Sequence, residues 1–540
     1  MTRKMKLIWP HHDISRSKSS RTPPRSANTI GAAPLHRTSW LAAGIEGLIV
    51  AALATTIAAV SIYKDLHEPF SCDELFTYYG CKASGLSELY GLLSTGGFDA
   101  SPPLYDVAVW QFQRVINNDH LALRLPASLG FTVMCLCLYG MARRRCPAPY
   151  AALALLTLPI TAAFQQATNA RPYGLMLGFV GLALFCWHLT NGSRWRPLAL
   201  FGLAASLSAG VATHYYAILV LAPLGMAEAA RTIESGRKRI DVAVWVAFAF
   251  ALAPLPVLWP LMACARNLAA GASWLPVRLS DLKQTYLADF APLLLLLAIG
   301  SLLLLRLSLA PARPGNEPAP AFTSWNKADV VLTLGLIALP ILGFAVGVTV
   351  TKAYVPRYVV AHVAGVALLL AFVSNSLFRG RAVFGIMLAL IMLVTFLSTS
   401  ARDALSGHDN WSWLKDVARY SSRAAREGHR LTILNGDDFI VCHHYLDPSA
   451  LKNLTLVDLV NDRHAKIYEG LNRWLARKGL GAFDQRGADW LTQHSDPYYI
   501  YRDLDFVFRI QPRRRLAIEL LDKNLYVIEA DGAETITAIW

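Results

Sequence analysis

Long apolar segments recur along the chain and are separated by shorter polar loops. A helix that crosses a bilayer needs roughly 20 predominantly apolar residues, and eleven segments approach or reach that length. We therefore predict an all-α polytopic membrane bundle of about eleven transmembrane helices. The segments are 41–63, 122–142, 149–166, 172–190, 197–213, 216–230, 241–262, 291–310, 329–350, 358–378 and 382–400.

Composition supports this pattern. Hydrophobic residues make up 54% of the chain and charged residues 16%, against roughly 45–50% and roughly 25% in soluble domains. A single globular core does not explain that excess of apolar residues.

The first forty residues differ from the rest. Residues 1–40 are basic and polar, without apolar periodicity, so we expect a disordered tail. The apolar segment 41–63 is longer than the roughly 7–15 residues of a signal-peptide core, which indicates an uncleaved first spanning helix.

The basic residues between the apolar segments indicate the topology. They cluster in alternate loops, which the positive-inside rule places in the cytoplasm. The clusters are residues 143–145, 194 and 196, 231 and 237–239, and 379 and 381. We therefore expect a cytoplasmic N-terminus, a plasma-membrane (inner-membrane) location, and external loops at 64–121, 167–171, 213–216, 263–290 and 351–357. The net charge of +14 is explained by these clusters, so nucleic acid is not an expected partner.

Residues 401–540 lose the long apolar runs and combine strand-like stretches, at 431–434 and 525–528, with a helical pattern at 411–426. We predict a C-terminal extracytoplasmic α/β domain here, beyond a transmembrane domain at 41–400. Cys442, His443 and His444 lack a second ligand pair at zinc spacing, so we interpret them as packing residues.

Two cysteines, Cys72 and Cys81, stand in the first external loop, where a disulfide would persist. If this stretch is helical, a separation of nine residues at roughly 1.5 Å each holds the two backbones too far apart. A bridge is therefore the less favoured alternative.

Candidate chemistry concentrates in the same loop. Asp73 and Glu74 follow the first apolar segment, and Asp99 precedes the pair Pro102-Pro103. Taken alone, adjacent carboxylates at this position are equally typical of a solvated loop or a helix N-terminus.

Cations stand at the external ends of several predicted helices. Arg171, Lys352 and Arg357 lie among aromatic residues, a pattern also typical of side chains that anchor a helix at the membrane interface. Each cation taken singly is explained by anchoring, so a functional role depends on the combination.

In order along the chain, these pieces resemble the polyprenyl-phosphate-dependent membrane glycosyltransferases of the GT-C class, in particular family 39, which includes protein O-mannosyltransferases and lipid A aminoarabinose transferases. The resemblance covers about residues 41–400. It rests on Asp73-Glu74, the run Pro102-Pro-Leu-Tyr105, Arg124-Leu-Pro-Ala, Ala170-Arg171-Pro-Tyr173, Thr213-His214-Tyr215-Tyr216 and Arg357-Tyr358.

The resemblance implies a GT-C-like fold and an inverting transfer of one sugar, a hexose or pentose, from a polyprenyl-phosphate donor. The acceptor would be an envelope glycolipid, polysaccharide or protein at the external face. Asp73 takes the role of general base, with Glu74 beside it and Asp99 as a second carboxylate. The donor phosphate would meet Arg171, His214, Lys352 and Arg357. The substrate pocket would include Tyr105, Tyr173, Tyr215, Tyr358 and an orienting or structural Arg124.

No cofactor is expected, and a divalent metal beside Asp73 is not predicted. The chain departs from the family pattern at Asn169, where many relatives have Glu, and at Ser101, where many have His. These departures affect the local acceptor or donor geometry but leave Asp73 and Arg357 in place.

Other classes of protein share some of these features. A transporter would also be polytopic, but its site lies near the bilayer midplane between repeated halves, whereas these charges lie at one rim. A polysaccharide polymerase or ligase would also use lipid-linked sugars, with a large external loop late in the chain. A structural or sensory membrane protein is the remaining alternative.

Overall fold

The computed structural model describes residues 40–94, 101–192, 194–236, 240–269, 277–290, 294, 300, 326–406, 412–458, 461–487, 490, 498–501, 515–522 and 525–531. Twenty α-helices are described here as α1 to α20. They are α1 Trp40–His67, α2 Cys72–Gly80, α3 Leu86–Ser94, α4 Leu104–Val115, α5 Asp119–Arg143, α6 Ala148–Thr157, α7 Pro172–Leu189, α8 Arg196–Thr213, α9 Leu221–Glu234, α10 Val242–Ala249, α11 Leu255–Ala269, α12 279–290, α13 Lys327–Ile337, α14 Leu339–Val346, α15 His362–Leu377, α16 Ala382–Ser406, α17 Ser412–Glu427, α18 Gly436–Tyr445, α19 Pro448–Leu451 and α20 Asn461–Lys478.

Short 3-10 turns interrupt or join several of these helices. They cover Leu158–Ile160, Ala162–Gln166, Tyr215–Val220, Phe250–Leu252 and Pro356–Val359, and a π-helical turn covers Gly347–Thr351. The turns that begin at Tyr215 and Pro356 carry predicted site residues, so they matter for function.

Seven helices in the described part of the chain are long and apolar enough to cross a membrane. The total becomes eight if Lys327–Ile337 and Leu339–Thr351, which meet at 47°, form one bent span. Two shorter apolar helices cover Ala148–Ile160 and His362–Leu377. The multi-pass prediction is confirmed, but the count of eleven is not, and the predicted segment 291–310 lies outside the described residues.

Prolines explain two of the differences from the predicted segments. Pro340 stands in the first turn of α14, just past the bend between α13 and α14. The segment predicted as 149–166 leaves the α-helical conformation after Thr157, where a 3-10 turn begins at Leu158 with Pro159 as its second residue. A proline has no N–H to donate and its ring clashes with the preceding turn, so hydrophobicity alone overestimates the length of such helices.

Helices α5 and α7 approach each other closely through glycines. A Cβ atom built on Gly130 would lie 2.5 Å from the carbonyl oxygen of Gly174, and one built on Gly178 would lie 2.6 Å from the Cα atom of Gly130. Small residues spaced four apart are typical of helix pairs that pack backbone against backbone in membranes. This glycine seam therefore fixes the position of α7 against α5.

The C-terminal α/β region contains a six-stranded sheet. Its strands are β1 Leu431–Ile433, β2 Leu454–Asp458, β3 Asp484–Gly487, β4 Tyr498–Tyr501, β5 Arg515–Asp522 and β6 Leu525–Asp531, and their order is β3-β2-β1-β4-β6-β5. Strands β3, β2, β1 and β4 run parallel, whereas β6 is antiparallel to both β4 and β5. The predicted strands at 431–434 and 525–528 are thus confirmed as elements, and the independence of this region as a domain stays a prediction.

The glycine seam gives a stability prediction. Gly178→Ala should destabilise the protein by about 1–3 kcal/mol, because the added methyl group forces α5 and α7 apart. Gly210→Ala is the matched control in another spanning helix, since its Cβ would lie at an ordinary 3.6 Å from the Cβ of Ala217. Thermal unfolding in detergent should show a lower midpoint for the first variant alone, and equal midpoints would contradict the seam.

Candidate active site

Helix α2 carries the predicted carboxylates. Ser71 stands at its N-cap in an extended conformation, and the Glu74 carboxylate accepts a hydrogen bond of 2.8 Å from the Ser71 backbone N–H. Such a capping box satisfies donors that the helix itself leaves unpaired. The first turn of α2 is therefore rigid, and it holds Asp73 one residue before Glu74.

Glu74 forms a buried ion pair with Arg124 of α5. The Arg124 Nε and Nη2 atoms donate to the two Glu74 oxygens at 2.7 and 2.9 Å, and the two side chains are only 2% and 4% exposed. The remaining Arg124 donor, Nη1, bonds the carbonyl oxygens of Asp65 and Glu68 at 2.8 and 2.6 Å. Glu74 also accepts from the Ala170 N–H at 2.7 Å.

These bonds define the role of Glu74. Burial raises the pKa of the Glu74 carboxyl, but the Arg124 charge and the hydrogen bonds outweigh it, so that the pKa lies below its ordinary value. All of these partners are protein groups, which leaves little capacity to take a proton from a substrate. The geometry favours Glu74 and Arg124 as an anchor for α2 rather than as catalytic groups.

Asp73 has a different environment. Its Oδ2 atom accepts a hydrogen bond of 3.2 Å from Arg357 Nη2, and the Asp73 and Arg357 side chains are 46% and 40% exposed. Arg171 Nη1 donates to the Asp73 backbone oxygen at 3.2 Å. The structure thus brings together the predicted base and two of the predicted phosphate-binding cations, and it leaves the carboxylate accessible.

Aromatic rings surround Arg357. Its Nε atom donates to the Tyr173 hydroxyl at 3.1 Å. The rings of Tyr173 and Tyr358 each lie 5.1 Å from the His214 ring, between centroids, and the Tyr216 ring lies 5.1 Å from that of Tyr358. We call Tyr173, His214, Tyr216 and Tyr358 the aromatic cluster. It forms a wall that contacts Arg357 through Tyr173.

His214 is buried within the aromatic cluster. Burial, followed by the charges of Arg171 and Arg357, lowers the pKa of His214 to about 3. The imidazole is therefore neutral near pH 7, so His214 adds no positive charge to the predicted phosphate site. The backbone N–H of Tyr216 donates to His214 Nδ1 at 3.3 Å, which assigns the ring proton to Nε2 and makes that atom a donor.

Arg357 is positioned by the segment that precedes it. This segment turns at Lys352, which has a left-handed φ of 56°. The Tyr216 hydroxyl hydrogen-bonds with Thr351 Oγ1 at 2.9 Å and donates to the Ala353 oxygen at 3.1 Å. Lys352 itself is exposed and donates to the Val348 oxygen one turn back at 2.7 Å, so the structure does not bring it to Arg357 through any described contact.

Two further predicted residues are placed differently, and a third is not described. Tyr105 is fully buried and its hydroxyl donates to the Leu123 oxygen at 2.8 Å, which indicates packing rather than substrate contact. Tyr215 is partly buried and packs against the hydrophobic core. Asp99 lies outside the described residues, so its role as a second carboxylate stays a prediction.

Two side-chain contacts that hold the segment around Arg357 were not predicted from the sequence. His362 Nε2 lies 3.1 Å from Asp289 Oδ2, and Tyr354 OH lies 3.1 Å from Thr285 Oγ1. Both pairs join α12 to the segment on either side of Arg357. A single histidine or aspartate in an apolar helix carries no signal in one sequence, so neither pair was recognisable before the fold was known.

The cysteines and possible metal ligands add no second centre within the described ranges. Cys72 and Cys81 are both free, at the two ends of α2, as a helical stretch requires. Among the residues described, no group of three or more His, Cys, Asp or Glu side chains is arranged to hold a metal ion. The expectation that no cofactor is needed stays a prediction.

Comparison with known proteins gives one matching segment and a similar fold. Residues 100–259 match the family model described as dolichyl-phosphate-mannose-protein mannosyltransferase. The fold is similar to that of ArnT from Cupriavidus metallidurans in the apo state, with 13% identity, 90% of this chain and 98% of that chain covered, and a TM-score of 0.54. The undecaprenyl-phosphate complex of that protein gives 12% identity, with 89% of this chain and 97% of that chain covered, and a TM-score of 0.50. No curated protein matches by sequence.

The described helices are those of a multi-pass membrane protein, and the fold is similar to that of ArnT. The matched segment and the shared fold together support its assignment as similar to family 39 of the GT-C glycosyltransferases.

The contrast between the two carboxylates of α2 is testable. Glu74→Gln should cost about 3–5 kcal/mol of stability, because it leaves the Arg124 charge buried without its partner. Asp73→Asn, at an exposed pair, should cost about 0–1 kcal/mol. Thermal unfolding measures both. Equal melting of the two variants would contradict the anchor.

The same pair predicts a pH dependence of stability. Since the pKa of Glu74 is lowered in the folded protein, the stabilisation is present above the ordinary glutamate pKa and is lost as the pH falls through the lowered value.

Proposed function

We propose that the protein transfers one sugar from a polyprenyl-phosphate donor to a cell-envelope acceptor at the external face of the plasma membrane. The observation that carries this proposal is Arg357, which contacts both the Asp73 carboxylate and the Tyr173 hydroxyl. One guanidinium thereby joins a candidate base to a wall that can line a sugar pocket. The matched family model, whose description names a dolichyl-phosphate-mannose donor, and the shared fold of a protein solved with undecaprenyl phosphate support the class of donor.

The transfer needs a base and a stabilised leaving group. As the acceptor oxygen attacks the anomeric carbon, its proton passes to Asp73, and the electrons of the breaking bond move to the phosphate oxygen. A positioned carboxylate contributes roughly 10²–10⁴-fold to such a step. Attack from the side opposite to the phosphate inverts the configuration at that carbon.

The leaving phosphate gains negative charge as the bond breaks. Arg357 and Arg171 stand beside Asp73 before substrate arrives, and such preorganised cations stabilise developing charge better than mobile water does. The planar guanidinium of arginine matches phosphate oxygens in pairs. Neutral His214, through its Nε2–H, is suited to orient a sugar hydroxyl or phosphate oxygen rather than to supply charge.

The pairing of Asp73 with Arg357 means that donor binding affects both groups. An arriving phosphate competes with Asp73 for Arg357, since both are anions at the same exposed guanidinium. If Arg357 turns towards the phosphate, the Asp73 oxygen loses the hydrogen bond from Arg357 and is free to accept one from the acceptor hydroxyl. Donor binding would therefore activate the base, and an empty site would hold the base in its ion pair.

The donor class can be tested with purified protein. A polyprenyl-phosphate sugar should be consumed in the presence of envelope lipid acceptors, whereas the corresponding nucleotide sugar should give no product, because it lacks the lipid that brings the phosphate to the membrane rim. Mass spectrometry of both substrates and products measures the outcome. Efficient direct use of the nucleotide sugar would rule out the proposed class.

Two variants separate the roles of base and cation. Asp73→Asn should lower turnover by roughly 10²–10⁴-fold without weakening donor binding, because the neutral amide cannot accept the proton and no longer competes with the phosphate for Arg357. Arg357→Ala should weaken donor binding as well as turnover, since its charge meets the phosphate both before and during bond breaking. Donor titration and single-turnover transfer measure the two effects.

Arg419→Ala is the control for loss of an external arginine, since Arg419 is exposed on α17 and pairs with Asp416. It should behave like the unaltered protein. Near-normal transfer by a folded Asp73→Asn variant would show that the carboxylate is a solvated helix residue and would overturn its role as the base.

A further inference from the structure

Helix α2 makes a second set of contacts, with the C-terminal α/β region. The Cys72 side chain lies close to Asp437 and Tyr468, and the Tyr468 hydroxyl donates to Asp437 Oδ1 at 2.7 Å. The Phe76 and Tyr468 rings lie 6.0 Å apart between centroids. Helices α18 and α20 thus contact the turn of α2 that contains Asp73.

The far end of α2 is held by the same two helices. Trp474 Nε1 of α20 donates to the Tyr79 oxygen at 3.1 Å. The Tyr79 hydroxyl lies 3.1 Å from Nδ1 of His444, in α18. Outside α2, Tyr445 accepts a hydrogen bond of 2.6 Å from the Phe70 backbone N–H. Both ends of the helix are therefore tied to the C-terminal α/β region by oriented polar contacts.

The close fit of Tyr468 has a specific requirement. A Cβ atom on Gly436, the first residue of α18, would overlap the Tyr468 ring. Only glycine leaves room for this tyrosine between α18 and the first turn of α2. Tyr468 is buried, so its hydroxyl is held at Asp437 by packing on all sides.

Three successive residues of α2 consequently have three different partners. Cys72 meets the C-terminal α/β region through Asp437 and Tyr468, Asp73 meets Arg357, and Glu74 meets Arg124 of α5. The exposed carboxylate of Asp73 has no burial to hold it, so its location depends on the two neighbours that flank it.

We propose that Asp437 and Tyr468 are positioning residues for the reaction, because they fix the first turn of α2 from the side opposite to Arg124. This inference rests on the proposed role of Asp73 as the base. A displacement of roughly 1 Å at a reacting group can lower a rate by about 10²-fold. The C-terminal α/β region therefore contributes to turnover without touching donor or acceptor.

The test uses the full-length protein with two variants, Tyr468→Phe and Asp437→Ala. Each should lower single-turnover transfer by about 10-fold to 100-fold, with donor binding close to that of the unaltered protein, because Arg357 and Arg171 keep their places. Each should also speed the reaction of Cys72 with a soluble maleimide, read by mass spectrometry of the peptide that contains it. Asp437→Asn, which keeps an acceptor oxygen, should recover most of the transfer lost in Asp437→Ala.

Two controls separate positioning from unfolding. Tyr499→Phe removes another tyrosine hydroxyl of the same region, one that donates to Glu427, and it should leave both transfer and Cys72 labelling unchanged. Cys442 is fully buried in α18, so its labelling rises only if the C-terminal α/β region itself unfolds. Cys442 should therefore stay protected in every variant.

The outcomes are distinct. Faster labelling of Cys72 with reduced turnover and retained donor binding supports the proposal. Unchanged labelling of Cys72, or increased labelling with normal turnover, overturns it. If the unaltered protein transfers no sugar from a polyprenyl-phosphate donor, the proposed function fails, and the labelling alone then decides whether Asp437 and Tyr468 hold α2.

Discussion

The buried pair of Glu74 and Arg124 is the interaction on which the arrangement of the site depends. Taking two charges out of water is costly, and the cost is offset here because both carboxylate oxygens and all three nitrogens of the guanidinium have partners. Those partners come from the end of α1, from the loop before α2 and from the turn before α7. One ion pair thus joins separate parts of the chain around Asp73, and it explains how an exposed carboxylate can have a fixed location.

The sequence predicted the membrane character and the order of the site motifs, because both depend on local composition. The residues alone could not distinguish Asp73 from Glu74, since adjacent carboxylates look alike until their partners are known, and the choice of Asp73 as base came from the family resemblance. The sequence prediction also grouped His214 with three cations at the phosphate site, whereas the neutrality of His214 follows from burial beside two arginines. The anchoring role of Glu74, the packing role of Tyr105 and the exposed position of Lys352 are likewise consequences of tertiary contacts. The bend at Pro340 shows the same limit for helix lengths.

The candidate site combines two kinds of surroundings. Glu74 and Arg124 are enclosed by protein, whereas Asp73 and Arg357 face an accessible space. The buried pair of Glu74 and Arg124 is rigid, whereas the exposed pair of Asp73 and Arg357 can separate. This combination suits a reaction in which Asp73 must release Arg357 before it accepts a proton. The aromatic cluster limits the directions in which Arg357 can turn, because Tyr173 binds its Nε atom. Asp437 and Tyr468 of the C-terminal α/β region hold the first turn of α2 from the side of Cys72.

The glycine seam between α5 and α7 fixes the positions of two arginines that flank α2 relative to each other along the helix axes. Arg124 lies on α5 and Arg171 immediately precedes α7. Backbones in direct contact have no side chains between them that could adjust to a shift. One residue inserted between Arg124 and Gly130 would turn Arg124 by roughly 100° and raise it by roughly 1.5 Å. Such a change would break the hydrogen bonds between Arg124 and the Glu74 carboxylate. The number of residues between the glycine seam and each arginine is therefore as constrained as the identity of the arginines.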